Sequence, residues 1–162
     1  AVVIRAAAGL ARFLDDAVEI DVDAGPELGL HQARVARSGS DLTLLCYGPM
    51  VKTCLQAAEA AREEGRDLEV VDLRSLSPLD LPTITDSVKK TGRAVIVHEA
   101  QTFAGLGAEI AARVQEECFY HLEAPVLRVG GYNIPYPPSR FEEEFLPTLD
   151  RVLDAVDRSL AH

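Results

Sequence analysis

The stretch DLTLLCYGPMVKTCLQAAEAAREEGRDLEVVDL, residues 41–73, decides the fold class of this chain. Residues 41–48 are almost continuously apolar and end in glycine, which predicts a buried strand. Residues 50–65 carry apolar side chains at helical spacing before Gly65, which predicts an amphipathic helix. Residues 68–73 are apolar again and predict a second buried strand. Because consecutive buried strands joined by a helix are typical of parallel sheets, this stretch indicates an α/β fold.

The alternation of strands and helices continues toward the C-terminus. Asp80 is a candidate N-cap, Pro82 falls in the first helical turn and Gly92 is a candidate helix stop, so a second helix is predicted between them. Continuous rather than alternating apolar strands indicate that helices cover both faces of the sheet. The remaining predicted elements are a strand at 93–100, a helix at 105–119, a strand at 124–131 and a helix over 146–160.

The resulting fold class is α/β, with a three-layer α/β/α sandwich around a mostly parallel five-stranded sheet. Residues 31–39 alternate apolar and charged side chains and pass through a tight Ser-Gly-Ser turn into the next strand, which predicts one antiparallel edge strand. The domain is therefore expected to span residues 31–162. Residues 1–30 are acidic and marked by proline and glycine, so we interpret them as an interdomain linker or arm. Residues 130–145 combine prolines with aromatic side chains and predict an irregular surface arm.

Charge and composition argue against several classes of partner. The chain carries a net charge of -10 and lacks the clustered Lys and Arg that phosphate backbones require, so no nucleic acid partner is expected. No run approaches the roughly 20 apolar residues of a membrane span, so no membrane partner is expected either. Cys46, Cys54 and Cys118 lack metal-ligand spacing, which predicts reduced thiols and a cytoplasmic protein.

The sequence VIVHEAQTFAGLGAEI, residues 95–110, contains the strongest candidate for catalysis. His98 and Glu99 end a predicted parallel strand, at the edge of the sheet where α/β proteins usually bind ligands. One hypothesis is therefore a general acid/base pair. The other, which we favour, is that the two side chains pair with a neighbouring subunit or cap the following helix.

The residues that follow this pair complete neither a nucleotide motif nor a metal motif. Gly105 and Gly107 are followed by Ile110 where a dinucleotide fingerprint requires a third glycine, so we interpret them as permitting close packing of strand and helix. Thr102 stands where a zinc-protease motif requires its second histidine, which argues against a metal. The residues alone therefore predict no catalytic, cofactor-binding or metal-ligating side chain.

Three stretches carry a resemblance to a known family: GSDLTLLCYGPMV (39–51), VVDLRSLSPLD (70–80) and residues 95–137. They resemble the C-terminal, transketolase-type domain of the beta subunit of thiamine-dependent 2-oxo acid dehydrogenases. Within that family, QEECFYHLEAPVLRVGGYNIPYP (115–137) resembles the branched-chain 2-oxo acid dehydrogenases most closely. Beta subunits of pyruvate and acetoin dehydrogenases share much of the pattern, so they remain alternatives.

This resemblance implies an enzyme whose chemistry lies outside the present chain. Thiamine diphosphate and magnesium would be bound by the alpha subunit and by the N-terminal domain of the beta subunit, so this chain alone is expected to bind neither and to be inactive. The implied role is assembly within an enzyme that decarboxylates 2-oxo acids oxidatively and transfers the acyl group to lipoyl groups. In a eukaryote the location would be the mitochondrial matrix.

The implied partners are the alpha subunit, the second beta subunit of a heterotetramer and the subunit-binding domain of the acyltransferase core. That docking domain is small and basic in the family, which suits the net charge of -10. With the first hypothesis for residues 98 and 99 set aside, the candidate interface residues are His98, Glu99, Gly105, Gly107, Tyr132, Tyr136 and Phe141.

A rival hypothesis of a different class stays open. The chain could be a freestanding α/β binding module that holds a small anion at the strand ends near Cys46, Asp72 and His98. The gene sequence directly upstream of Ala1 would distinguish the two hypotheses. A cofactor-binding domain encoded there would support the dehydrogenase subunit.

Overall fold

The computed structural model describes residues 28–162, so the predicted arm at 1–30 lies almost entirely outside the described residues. The described chain forms β1 (Arg34–Arg37), β2 (Leu42–Cys46), α1 (Met50–Glu63), β3 (Leu68–Asp72), α2 (Leu81–Thr91), β4 (Ala94–Gln101), α3 (Leu106–Cys118), β5 (Leu127–Gly131), α4 (Glu142–Phe145) and α5 (Leu149–Leu160).

The strands form a five-stranded sheet in the order β1-β3-β2-β4-β5. Strands β2 to β5 are parallel, and β1 is antiparallel at the edge, as predicted. The partner of β1 is β3, however, and not the strand that follows it through the Ser-Gly-Ser turn. The physical reason is that β2 lies between β3 and β4, so both of its edges are already hydrogen-bonded.

Helices cover both faces of the sheet. One apolar cluster joins α1 and α5 to the sheet, and a second joins α2 and α3 to the opposite face. All residues of β2 are buried, because side chains on both of its faces contact helices. The three-layer α/β/α sandwich is therefore confirmed. Within residues 28–162, no helix has both the length and the apolarity that crossing a membrane would require.

The predicted boundaries of α2 are confirmed in atomic detail. The carboxylate of Asp80 accepts a hydrogen bond from the backbone N–H of Thr83 at 3.3 Å, and Gly92 ends the helix in the left-handed region with φ of 70°. The same carboxylate accepts from the N–H of Ala33 at 2.9 Å. Asp80 therefore also connects α2 to the start of the edge strand.

The predicted arm after β5 is irregular only in its first half. Residues 132–138 contain no helix or strand, but Ser139–Phe141 forms a short 3-10 turn and α4 follows it. The prediction of irregular structure up to residue 145 was therefore wrong for these residues. No proline interrupts the chain between Pro138 and Pro147, and the acidic residues of α4 stabilise the N-terminal turn of a helix.

A buried carboxylate lies on β3, away from the carboxyl edge of the sheet. Glu69 accepts hydrogen bonds from the hydroxyl of Ser87 at 2.6 Å and from the backbone N–H of Gly39 at 3.2 Å. The ammonium group of Lys90 also donates to it, and the side chain of Glu69 is almost fully buried. This carboxylate thereby links β3 to α2 and to the turn that precedes β2.

Candidate interface at the carboxyl edge of the sheet

His98 ends the buried part of β4, and Glu99 follows it on the opposite face of the sheet, as consecutive strand residues do. His98 is fully buried, whereas Glu99 is half-buried. Both residues were candidate interface residues, and the full burial of His98 within this domain argues against that role for its side chain. Because its imidazole has no access to solvent, the structure gives the acid/base hypothesis no support.

Glycines enclose the His98 imidazole. A Cβ atom on Gly107 would lie under 3.0 Å from His98 Nε2, and Cβ atoms on Gly105 and Gly130 would lie 3.1 and 3.2 Å from its Cε1. The ring of Tyr47 lies parallel to the imidazole, with centroids 6.1 Å apart. Gly105 and Gly107 thus permit close packing, as predicted, and what packs against Gly107 is a side chain of the same domain.

The surroundings of the His98 ring disfavour its charged form. Neither ring nitrogen has a hydrogen-bond partner among residues 28–162. Burial lowers the pKa of the imidazole, and the nearby charge of Arg128 lowers it further. His98 therefore acts as a packing residue beneath this edge of the sheet.

Glu99 lines a groove of about 620 Å³ on the other side of β4. The groove lies between the β4–α3 loop and the arm that follows β5. Burial raises the pKa of Glu99, and the negative charge of Glu142 raises it further. The lining includes Glu99, Gln101, Phe103, Gly105, Asn133, Tyr136 and Phe145.

Hydrogen bonds and ring contacts hold the arm in place. The hydroxyl of Tyr136 donates to the carboxylate of Glu142, which raises the pKa of Tyr136 to about 12. The rings of Tyr136 and Tyr132 pack edge-on against Phe145, with centroids 5.0 and 6.4 Å away. The guanidinium of Arg151 lies 4.6 Å from the centre of the Tyr132 ring. The arm therefore presents its side chains in a defined arrangement.

Large apolar side chains around this groove remain exposed. Their exposed fractions range from 42% at Phe141 to 71% at Phe103. Such exposed apolar clusters are typical of protein interfaces. We name this region the carboxyl-edge surface and define it by Glu99, Phe103, Tyr132, Ile134, Tyr136 and Phe141.

Two members of this surface were not among the predicted interface residues, and one aromatic residue of the predicted arm is buried beneath it. Phe103 and Ile134 were not predicted, although an aromatic residue directly after a strand end is a usable signal. Phe145 is aromatic and falls in the predicted surface arm, yet it is buried. A Cβ on Gly131 would lie only 2.5 Å from its ring, so Phe145 anchors the arm to the end of β5.

The rival anion site does not form. Cys46 and His98 are fully buried and cannot line an open pocket. The third member is Asp72, whose carboxylate accepts a hydrogen bond from the backbone N–H of Arg74 at 3.1 Å. Its negative charge would repel an anion. Among residues 28–162, no group of three His, Cys, Asp or Glu side chains could hold a metal ion.

Comparison with protein families matches residues 31–152 to the family described as Transketolase, C-terminal domain. The chain belongs to the transketolase C-terminal domain family. A split-gene transketolase, described as an inactive beta4 tetramer, shares the fold with a TM-score of 0.69 and 28% identity, over 84% of this chain and 43% of that one. The predicted fold class is confirmed.

Curated relatives of this transketolase C-terminal domain are beta subunits. Pyruvate dehydrogenase E1 component subunit beta of Leifsonia xyli subsp. xyli is 52% identical over 144 residues, which cover 89% of this chain and 42% of the relative. The 3-methyl-2-oxobutanoate dehydrogenase subunit beta of Mycobacterium tuberculosis is 52% identical over 136 residues, with coverage of 83% and 39%. The chain spans about two fifths of the length of these relatives.

These relatives confirm the resemblance to beta subunits of 2-oxo acid dehydrogenases. They do not confirm the finer expectation of a branched-chain substrate, since the pyruvate relative and the 3-methyl-2-oxobutanoate relative are both 52% identical.

Proposed function

We propose that this chain is the C-terminal domain of the beta subunit of a thiamine-dependent 2-oxo acid dehydrogenase, and that the domain serves subunit assembly. The observation that carries this proposal is the carboxyl-edge surface. Its aromatic side chains stay exposed on a domain that buries a full core on both faces of its sheet. A partner subunit that covers them would remove apolar surface from water, which favours association.

The partners proposed for the assembled enzyme are an alpha subunit, a second beta subunit and the subunit-binding domain of an acyltransferase core. The net charge of -10 supports a basic surface on at least one of them. We further propose a cytoplasmic location, or the mitochondrial matrix in a eukaryote, which the free and buried state of Cys46, Cys54 and Cys118 supports.

For the substrate we propose a branched-chain 2-oxo acid, on the resemblance of residues 115–137 noted above. The test is turnover of the assembled enzyme with 3-methyl-2-oxobutanoate and with pyruvate, in the presence of thiamine diphosphate and magnesium. A larger kcat/KM for 3-methyl-2-oxobutanoate is expected. A larger value for pyruvate would assign the chain to the pyruvate enzymes and leave the assembly role intact.

The assembly role predicts that the carboxyl-edge surface is required for complex formation. In the complete beta subunit, Phe103→Ser together with Phe141→Ser should weaken association with the alpha subunit by about 100-fold or more, because buried aromatic anchors dominate interface energies. Sedimentation of the mixed subunits measures this effect.

The matched control for this experiment is a second exposed aromatic pair. Phe119 and Tyr120 follow α3 at the opposite edge of the sheet and are also exposed. Phe119→Ser with Tyr120→Ser should leave association with the alpha subunit unchanged. Equal losses from both pairs of substitutions would refute a specific role for the carboxyl edge.

The described residues do not fit thiamine diphosphate or its magnesium ion. Glu99 lines the groove at the carboxyl edge and lies within reach of the negative charge of Glu142, so a diphosphate there would be repelled. No group of three potential metal ligands occurs among residues 28–162. The chemistry of the proposed enzyme therefore requires residues outside the described part of this chain.

We predict that the isolated chain does not bind thiamine diphosphate and does not decarboxylate 2-oxo acids. Isothermal titration with thiamine diphosphate and magnesium should give no heat of binding beyond dilution. The assembled enzyme, titrated in the same buffer, is the positive control. Micromolar binding by the isolated chain would contradict the prediction and place a cofactor site within it.

A further inference from the structure

We propose that the groove beside Glu99 receives an arginine or lysine side chain of the alpha subunit. This inference rests on the proposed function and specifies the chemistry of one contact within it. The groove combines a half-buried carboxylate with the aromatic side chains of Phe103 and Tyr136. A cation is the one charged group that both a carboxylate and an aromatic face attract.

The carboxylates at this groove lack a cation within the described chain. Neither Glu99 nor Glu142 takes part in an ion pair among residues 28–162, and the carboxylate of Glu142 accepts a hydrogen bond only from the Tyr136 hydroxyl there. Burial raises the pKa of Glu99, and repulsion from the negative charge of Glu142 adds to this effect. A cation placed between them would relieve this repulsion and would compensate the partial burial of Glu99.

The occupant comes from another kind of chain and not from a second copy. This chain carries 16 Lys and Arg against 26 Asp and Glu, so a partner richer in basic residues supplies a cation more readily than a second copy does. The exposed aromatic rim also favours a permanent partner, since obligate interfaces are the more apolar ones. In the proposed enzyme, the permanent partner of a different kind is the alpha subunit.

The first test compares charge variants of the complete beta subunit in titrations against the alpha subunit. Glu99→Gln should raise Kd by about 10-fold and Glu99→Lys by about 100-fold or more, because the cation loses its partner and then meets a like charge. Glu143 is exposed on α4 of the same surface, so Glu143→Lys makes an equal change of charge outside the groove. It should raise Kd less than about threefold in 0.15 M salt.

The outcomes separate this inference from the proposed function. If the wild-type beta subunit fails to bind the alpha subunit, the proposed function itself is wrong. If the wild type binds and Glu99→Lys behaves like Glu143→Lys, only the cation site is refuted. Thermal unfolding of each variant verifies that the substitutions leave the fold intact.

The second test identifies the occupant. A photo-reactive phenylalanine analogue replaces Phe103 at the groove, and the assembled enzyme is irradiated and analysed by mass spectrometry. A cross-link to an alpha-subunit peptide that contains arginine or lysine supports the proposal. A cross-link to a second beta subunit, to the acyltransferase docking domain or to a peptide without a basic residue overturns it.

Discussion

Alanine at Gly107 is expected to lower the free energy of unfolding by about 3 kcal/mol, an overpacking effect at the upper end of the usual range. The added Cβ would lie under 3.0 Å from Nε2 of His98. The imidazole cannot move away, because Gly105, Gly130 and Tyr47 enclose it and the residue is fully buried. At an unobstructed helical position the same substitution would stabilise the protein by about 1 kcal/mol. Gly107→Ala is therefore expected to destabilise the protein, whereas helix propensity alone predicts that it stabilises it.

Urea unfolding of four proteins measures this effect: the wild type, Gly107→Ala, His98→Ala and the double variant. His98→Ala removes the obstructing ring, so Gly107→Ala should cost less than about 0.5 kcal/mol when it is introduced into that background. The cost of Gly107→Ala in the wild type, minus its cost in the His98→Ala background, measures the energy of the steric clash between the added Cβ and the imidazole. A Gly107→Ala protein as stable as the wild type would show that the two groups are not in contact.

Replacement of Glu69 by alanine is expected to cost about 1–3 kcal/mol of stability. The carboxylate accepts from Gly39 N–H and Ser87 Oγ, and both donors are buried. The N–H of Gly39 would be left without an acceptor, at a cost of about 1–3 kcal/mol, whereas the Ser87 hydroxyl keeps Thr43 Oγ1 as a partner at 2.8 Å. Lys90 adds little to the loss, because it is 46% exposed and can turn to water.

The matched control is Glu59→Ala on α1. Glu59 pairs with Arg62 at 2.5 Å, but both side chains are exposed, so its loss should change the stability far less than the loss of Glu69 does. The two substitutions should also differ in salt: the Glu69→Ala loss should persist in 1 M sodium chloride, where exposed pairs are screened. Thermal unfolding at two salt concentrations measures both effects. Equal losses for the two variants would contradict the structural role assigned to Glu69.

The fold was predictable where apolar residues recur at the regular spacing of a strand or a helix. Residues 41–73 encode a strand, a helix and a strand through the spacing of their apolar side chains, and the structure contains all of them. The boundaries of α2 were predictable because an N-cap and a helix stop act locally, as Asp80 and Gly92 do. The pairing of β1 was not predictable from its turn, because that pairing depends on which strands occupy both edges of β2.

The candidate site was predictable only in part. Glu99, Tyr132, Tyr136 and Phe141 lie on the carboxyl-edge surface, where the strand end and the proline-rich arm suggested that interface residues would lie. Their role in assembly stays a prediction that the experiments above test. His98 lies on the same strand end, yet the packing of α3 through Gly107 buries it.

The sequence by itself determined the α/β class, the order of the strands and helices, and the strand end at which polar and aromatic residues collect. These properties follow from periodicity, caps and turns, which act over a few residues. Tertiary structure alone decided that the His98 imidazole is enclosed by Gly105, Gly107 and Gly130, and that Glu99 instead faces the groove. The reason is that burial at a strand end depends on how closely elements distant in sequence approach it, and that distance is set by the packing of the whole domain.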